Sequence, residues 1–296
     1  MKKLILLFTV LLLVLGLSAC GETQNAHSIV ATNFAAYDFA REIVKGVDGI
    51  RVDFLAGGDV HSFDPTFQDM AKLEAADLFL YVGGNSDAAI DSLLESTSQD
   101  NVLKLVDCVP LLEEKSEHED EHLHDEHVWT SLKNATVIVA AITERIVEID
   151  PENESLYREN AAAYTEKLTE LDQKFESLIE NQTKTAVFGD RFPLLYFADA
   201  YGLRYEAAFV SCHTTSEPSP TRVAELVTLC QNEGITTIFH IEGGAHSVAD
   251  RIASDVGGKT ALFHACHKVT ADELARGASY LSLMAQNYEA LKAAIS

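Results

Sequence analysis

Residues 150–180 read DPENESLYRENAAAYTEKLTELDQKFESLIE. Asp150-Pro151 stops whatever helix precedes it, because proline cannot continue one. From about Glu152 to Glu180 the apolar residues Leu156, Ala163, Leu168, Leu171, Phe175 and Leu178 recur near the helical period. At 1.5 Å per residue such a helix reaches roughly 40 Å, enough to cross the whole molecule. Its seam is too short and irregular for a coiled-coil dimer, so it reads as an internal spacer of a monomer.

The flanking stretches alternate between strand and helix signals. Before the spacer, Ser28–Thr32 and Arg51–Leu55 read as strands, with a helix over Phe34–Val47 capped by Asn33. Asp64-Pro65 reads as a helix start running to about Ala75, and Asp77–Val82 as the next strand, ending in Gly83-Gly84. Lys133–Ile149 is amphipathic. After the spacer come strands at Lys184–Phe188, Arg204–Val210, Thr236–Ile241 and Thr260–Phe263. They are separated by helices at Phe192–Tyr201, Ser219–Glu233 and Ser247–Asp255, with final helices over 270–295. This pattern gives an α/β fold: two β/α lobes with mostly parallel sheets, joined by one long rigid helix. The expected division is a lobe over 28–150, a linking helix over 151–182 and a lobe over 183–296, with no sequence repeat between the lobes.

The first residues are an address. Lys2 and Lys3 precede an apolar run from Leu4 to Leu17, and Leu17-Ser-Ala-Cys20 follows. A charged start, a short apolar run and small residues before a cut site make 1–19 a secretory signal. The run is too short to span a membrane. Leu-Ser-Ala-Cys resembles the lipobox of bacterial lipoproteins, which implies lipid on Cys20, a tether over 20–27 and a membrane-held protein facing outside the cytoplasm. Cleavage removes two lysines, taking the formal charge of the 296-residue chain from −24 to −26. Such acidity excludes nucleic acid as a partner and attracts cations. Export permits disulfides. Cys212 and Cys266, each following a strand in the second half, are the favoured pair, with Cys266 as a metal ligand the rival reading; Cys108 and Cys230 read as small core residues.

Residues 113–127 hold eight carboxylates and four histidines. Such a segment has almost nothing to bury, so it reads as a mobile loop offering weak, exchangeable metal sites. Four other positions concern metal directly. His61 follows the strand ending near Leu55, His127 closes the acidic loop beside Trp129, His240 lies in the strand Ile238-Phe-His-Ile241, and His264 follows Phe263. Ligand sites in parallel α/β sheets gather where strands end. Imidazoles suit zinc, whereas manganese prefers more oxygen. The spacing lacks the signature of a CxxC or HExxH site, and no GxSxG is present, which argues against a zinc or serine hydrolase.

Most of the mature chain resembles the metal-specific solute-binding lipoproteins of bacterial ABC importers for zinc or manganese. The matching pieces are Val60-His61-Ser-Phe-Asp-Pro65, the His-rich loop, Asp125-Glu-His127-Val-Trp129 and Asp150-Pro-Glu-Asn153 leading into Asn160-Ala-Ala-Ala-Tyr164. Tyr201-Gly-Leu203 and Ser216-Glu-Pro-Ser219 complete them. The resemblance implies a transported Zn²⁺ held between the lobes, His61 and His127 as ligands, and an ABC permease with its ATPase as partners. The second lobe departs from the family pattern. Arg191 falls where a ligand His belongs, and His264 falls about where the last, acidic ligand belongs. His240 is expected to replace the lost His, with Glu242, Asp190 and His267 as competing candidates. A manganese carrier and a zinc-stabilised surface adhesin are the alternative functions.

Overall fold

The computed structural model describes residues 27–55, 66–97, 101–114, 123–209, 217–243 and 246–295. Two four-stranded sheets, parallel throughout, carry the fold. The first has β1 (His27–Ala31), β2 (Ile50–Phe54), β3 (Leu78–Tyr81) and β4 (Val102–Lys104) in the order β2-β1-β3-β4. The second has β5 (Ala186–Phe188), β6 (Tyr205–Ala207), β7 (Thr237–His240) and β8 (Lys259–Leu262) in the equivalent order β6-β5-β7-β8. The alternation in the sequence therefore yields two β/α lobes of one topology.

Helices cover both faces of each sheet, as parallel strands require. In the first lobe these are α1 (Phe34–Ile43), α2 (Phe67–Glu74) and α3 (Ala88–Thr97). On one face of that sheet Val30, Leu73, Phe79, Tyr81, Ile90 and Leu94 form their own cluster. In the second lobe α6 (Leu195–Tyr201), α7 (Pro220–Glu233) and α8 (Ser247–Asp255) play the same part. Val187, Leu226, Ile238 and Ile252 pack together there. The main core is shared between lobes and joins Phe39, Trp129, Tyr157, Phe175, Phe197, Phe263 and Tyr280.

The helices α4 (Leu132–Ile149) and α5 (Glu154–Ile179) meet at Asp150. A short 3₁₀ turn over Pro151–Asn153 separates them, and the Tyr157 hydroxyl donates to Asp150 Oδ2 at 2.5 Å. The 26 residues of α5 span roughly 39 Å. Asn160 Nδ2 donates to Ile43 O and Lys45 O of the first lobe at 2.9 and 2.8 Å. Towards the other end, Tyr201 of α6 donates to Asp172 at 2.6 Å, and Phe175 stacks edge-on with Phe197. Two last helices, α9 (Ala271–Ala275) and α10 (Tyr280–Ile295), return the chain across both lobes: the Tyr280 N–H donates to Asp38 Oδ2 of α1 at 2.8 Å.

Several local expectations change. Asp64 and Pro65 lie outside the described residues, and α2 starts two positions later than expected. Thr66 is its cap, with Asp69 completing a capping box whose reciprocal bonds satisfy two end groups at once. The buried face of α5 runs Tyr157, Ala161, Tyr164, Leu168, Leu171, Phe175 and Ile179, so Ala163 faces solvent. The acidic segment is tied down at both ends, with Glu113 and His124 still exposed. Glu113 bridges His124, Glu114 N donates to Leu123 O at 2.8 Å, and Asp125, Glu126 and His127 are buried. Residues 115–122 lie outside the described residues. The expected pairing of Cys212 with Cys266 meets a free, buried thiol at Cys266, while Cys212 lies outside the described residues. Cys108 and Cys230 are free as well. Among the described residues, no helix is long and apolar enough to cross a membrane. Cys20 lies outside them.

Candidate metal centre

His127 is built into the first lobe before it meets anything from the second. Asp125 Oδ1 accepts the His127 backbone N–H at 2.8 Å and lies 3.1 Å from ring Nδ1. A carboxylate there makes Nδ1 the protonated nitrogen and directs the Nε2 lone pair away from it, the arrangement that orients metal-binding imidazoles. The Tyr196 hydroxyl donates to Asp125 O at 2.8 Å and accepts from Leu112 N at 3.1 Å. The next residue, Glu126, accepts from the Ser86 amide at 3.0 Å and from its hydroxyl. Gly84 makes that approach possible: its φ is +94°, and an added Cβ would stand 2.9 Å from Glu126 Oε2.

The second lobe brings His267 to the same place. His127 and His267 are nearly perpendicular, ring centroids 4.7 Å apart, and the Trp129 indole lies 5.5 Å from each. Two imidazoles on one tetrahedral zinc, each about 2.0–2.1 Å from it, hold their centroids about 5 Å apart. The lobes are fastened around this pair. Trp129 Nε1 donates to Ala265 O at 2.8 Å, and the Tyr280 hydroxyl donates to Trp129 O at 2.6 Å.

The segment carrying His267 is shaped by buried polar groups. Asn287 of α10 accepts from His264 N at 2.6 Å and donates to His264 O at 2.7 Å. Glu242, just past β7, accepts from Ala265 N at 2.8 Å and His267 N at 2.9 Å, and its Oε1 is 3.8 Å from His267 Nδ1. Burial alone would raise this carboxyl, but the His267 ring and the Ala265 amide outweigh it and hold it down at about 2. Between these anchors Cys266 adopts φ +57°, a left-handed conformation costly for a side chain with a Cβ.

The four sequence-expected ligands do not all converge. His61 lies outside the described residues. His127 is buried between Asp125 and the Trp129 and His267 rings. His240, half-buried at the end of β7, stacks on His246 with centroids 3.7 Å apart and not on His127. Burial lowers its pKa, and the neighbouring His246 adds to the effect. His264 is buried with its backbone locked by Asn287. Among the described residues the rings in contact with His127 are Trp129 and His267, so a candidate held only as a rival meets it. Of the others, Glu242 clamps backbone. Asp190 accepts from Arg191 N at 2.8 Å and Ile241 N at 3.3 Å, and the Arg191 guanidinium lies 5.8 Å from the Phe209 ring centre. No group of three or more His, Cys, Asp or Glu side chains among the described residues is arranged to hold an ion. The positioning roles of Asp125, Glu242 and Asn287 escaped the sequence reading. Only Asp125, two residues before His127, carried a local signal.

The family model described as "Zinc-uptake complex component A periplasmic" (ZnuA) matches residues 29–294. The high-affinity zinc uptake system protein ZnuA of Bacillus subtilis strain 168 is 29% identical, over 98% of this chain and 97% of that protein. The zinc-binding lipoprotein AdcA of Streptococcus pneumoniae is 28% identical over 99% of this chain; the chain spans 61% of that longer relative. The Zn(II)-bound ZnuA-like domain of Streptococcus pneumoniae AdcA superposes with a TM-score of 0.75 at 28% identity, covering 91% of this chain and 98% of that domain.

Proposed function

We propose that this chain, which belongs to the zinc-uptake complex component A (ZnuA) family, captures Zn²⁺ between its lobes outside the cytoplasm and delivers it to an ABC-type permease powered by its ATPase. The observation that carries this reading is the His127–His267 pair, one imidazole from each lobe at 4.7 Å. His127 offers Nε2 because Asp125 takes Nδ1. His267 reaches the pair because Glu242 holds its backbone and Asn287 the start of its segment. His61, which follows β2 in the sequence, is the further ligand we propose. The imidazole-rich donor set favours zinc over manganese.

The chain works as a carrier tethered through lipid on Cys20, and as a monomer. Binding, with no chemical conversion of the ion, is the activity. Release needs only that one lobe withdraw its imidazole. With Trp129, Tyr280 and α5 joining the lobes, that movement is small, unlike a hinged clamp. Ligand imidazoles must be neutral, so protons compete with zinc and affinity falls as the pH is lowered.

Competitive chelator titration of the mature protein tests the reading. His127→Ala and His267→Ala are each expected to weaken zinc binding at least a hundredfold, while manganese fails to displace zinc from the unaltered protein. Undiminished affinity in both variants would remove the site, and displacement by manganese would reassign the cargo.

A further inference from the structure

Glu242 has a second side. Beyond it opens a cleft of ≈ 250 Å³ lined by His240, Glu242, His246, Lys268 and Glu273 together with apolar residues. His240 closes β7 and His246 opens α8, so two backbone elements fix the pair at the mouth of this cleft. His240 Nδ1 lies 3.2 Å from Ile241 O, which makes that nitrogen the donor and leaves Nε2 with its lone pair. The Nδ1 of His246 is buried and makes no hydrogen bond, a costly state for a polar atom unless something occupies it. The two imidazole rings on this cleft offer nitrogen ligands of the kind that suit a borderline-soft divalent ion.

We propose that His240 and His246 form a second, weaker zinc site, in a cleft that Glu242 also lines. The inference rests on zinc being the cargo. Two protein ligands with water completing the shell bind far less tightly than a closed four-ligand site. Lys268, which lies across Gly243 so closely that a Cβ there would meet its Cε at 1.9 Å, adds a positive charge to the cleft wall and weakens the site further. The tilted rings, 3.7 Å apart, must part by about 1.3 Å to share one ion in tetrahedral geometry, which favours fast exchange over storage. Placed one carboxylate away from His267, whose Nδ1 is 3.8 Å from Glu242, the site is a way-station for the ion entering or leaving the inter-lobe centre.

Equilibrium dialysis of the full mature protein against zinc separates the two sites. His240→Gln with His246→Gln is expected to lose one weakly held equivalent while the tight equivalent persists. His127→Ala with His267→Ala is expected to lose the tight equivalent and keep the weak one. An unchanged number of weak equivalents in the His240/His246 variant overturns the proposal without touching the inter-lobe centre. Loss of tight binding alone from the other variant supports that centre independently. If either double variant fails to fold, imidazole ¹⁵N spectra of the unaltered protein decide. Zinc added beyond the first equivalent shifts His246 Nδ1 if the site exists, and leaves it unmoved if it does not.

Discussion

Asp38 is fully buried in α1, where its carboxylate receives the Tyr280 N–H and lies 3.7 Å from Arg41. Burial raises its pKa from 3.8 to about 6, more than the Tyr280 amide and Arg41 lower it. The native state therefore keeps a proton that the unfolded chain releases. Its stabilising contribution is complete below pH 3.8 and is lost as pH rises to about 6. Asp38→Asn keeps an acceptor for Tyr280 and removes the titration. Urea midpoints at pH 4 and pH 7 are expected to change less in this variant, by on the order of 2–3 kcal/mol of relative stability. Asp125 sets a different single-residue test. Asp125→Ala frees His127 Nδ1 to adopt either tautomer and is expected to weaken zinc binding about 10–100-fold with the fold retained, as chelator competition would read it.

At the scale of elements, the tie between the loop carrying Trp129 and the segment 264–267 holds the two imidazoles in register. Trp129→Phe removes the Nε1 donor and leaves Ala265 O buried without it. The expected cost is about 1–3 kcal/mol in denaturant unfolding, and faster zinc release in stopped-flow exchange should accompany it. What the sequence made legible divides along the same lines. Strands such as Leu78–Tyr81, buried on both faces, read plainly as apolar runs. Ser219-Pro220 announced α7 because cap and first-turn proline act locally, and the Ser219 side chain does accept from Arg222 N. The face of α5 was misphased at its start because Tyr157 and Tyr164 count as polar in a pattern yet bury their rings, Tyr157 by giving its hydroxyl to Asp150. The short strand Val102–Lys104 has too few residues to show a period. The meeting of His267 with His127 was illegible for a stronger reason. His264 and His267 stand three positions apart, and what turns the second towards His127 is long-range: Glu242 on two amides, Asn287 on His264 and the left-handed turn at Cys266.

At the scale of the molecule, one topology occurs twice, and His127 and His267 meet between its two copies. The alternation of strands and helices foretold the two lobes. The acidity of the chain, −24 over 296 residues, raises the local cation concentration around both the inter-lobe centre and the cleft beyond Glu242. The lobes share one core instead of meeting as separate bodies, with Tyr280 bonded to both Asp38 and Trp129. In a molecule so joined, ion binding is expected to move the lobes little. The most direct test is therefore a crystal of the zinc-loaded protein measured on both sides of the zinc absorption edge. One anomalous peak within coordination distance of His127 Nε2 and a ring nitrogen of His267 is the expected result. A peak bound to either lobe alone, with His127 and His267 both unliganded, would contradict the account.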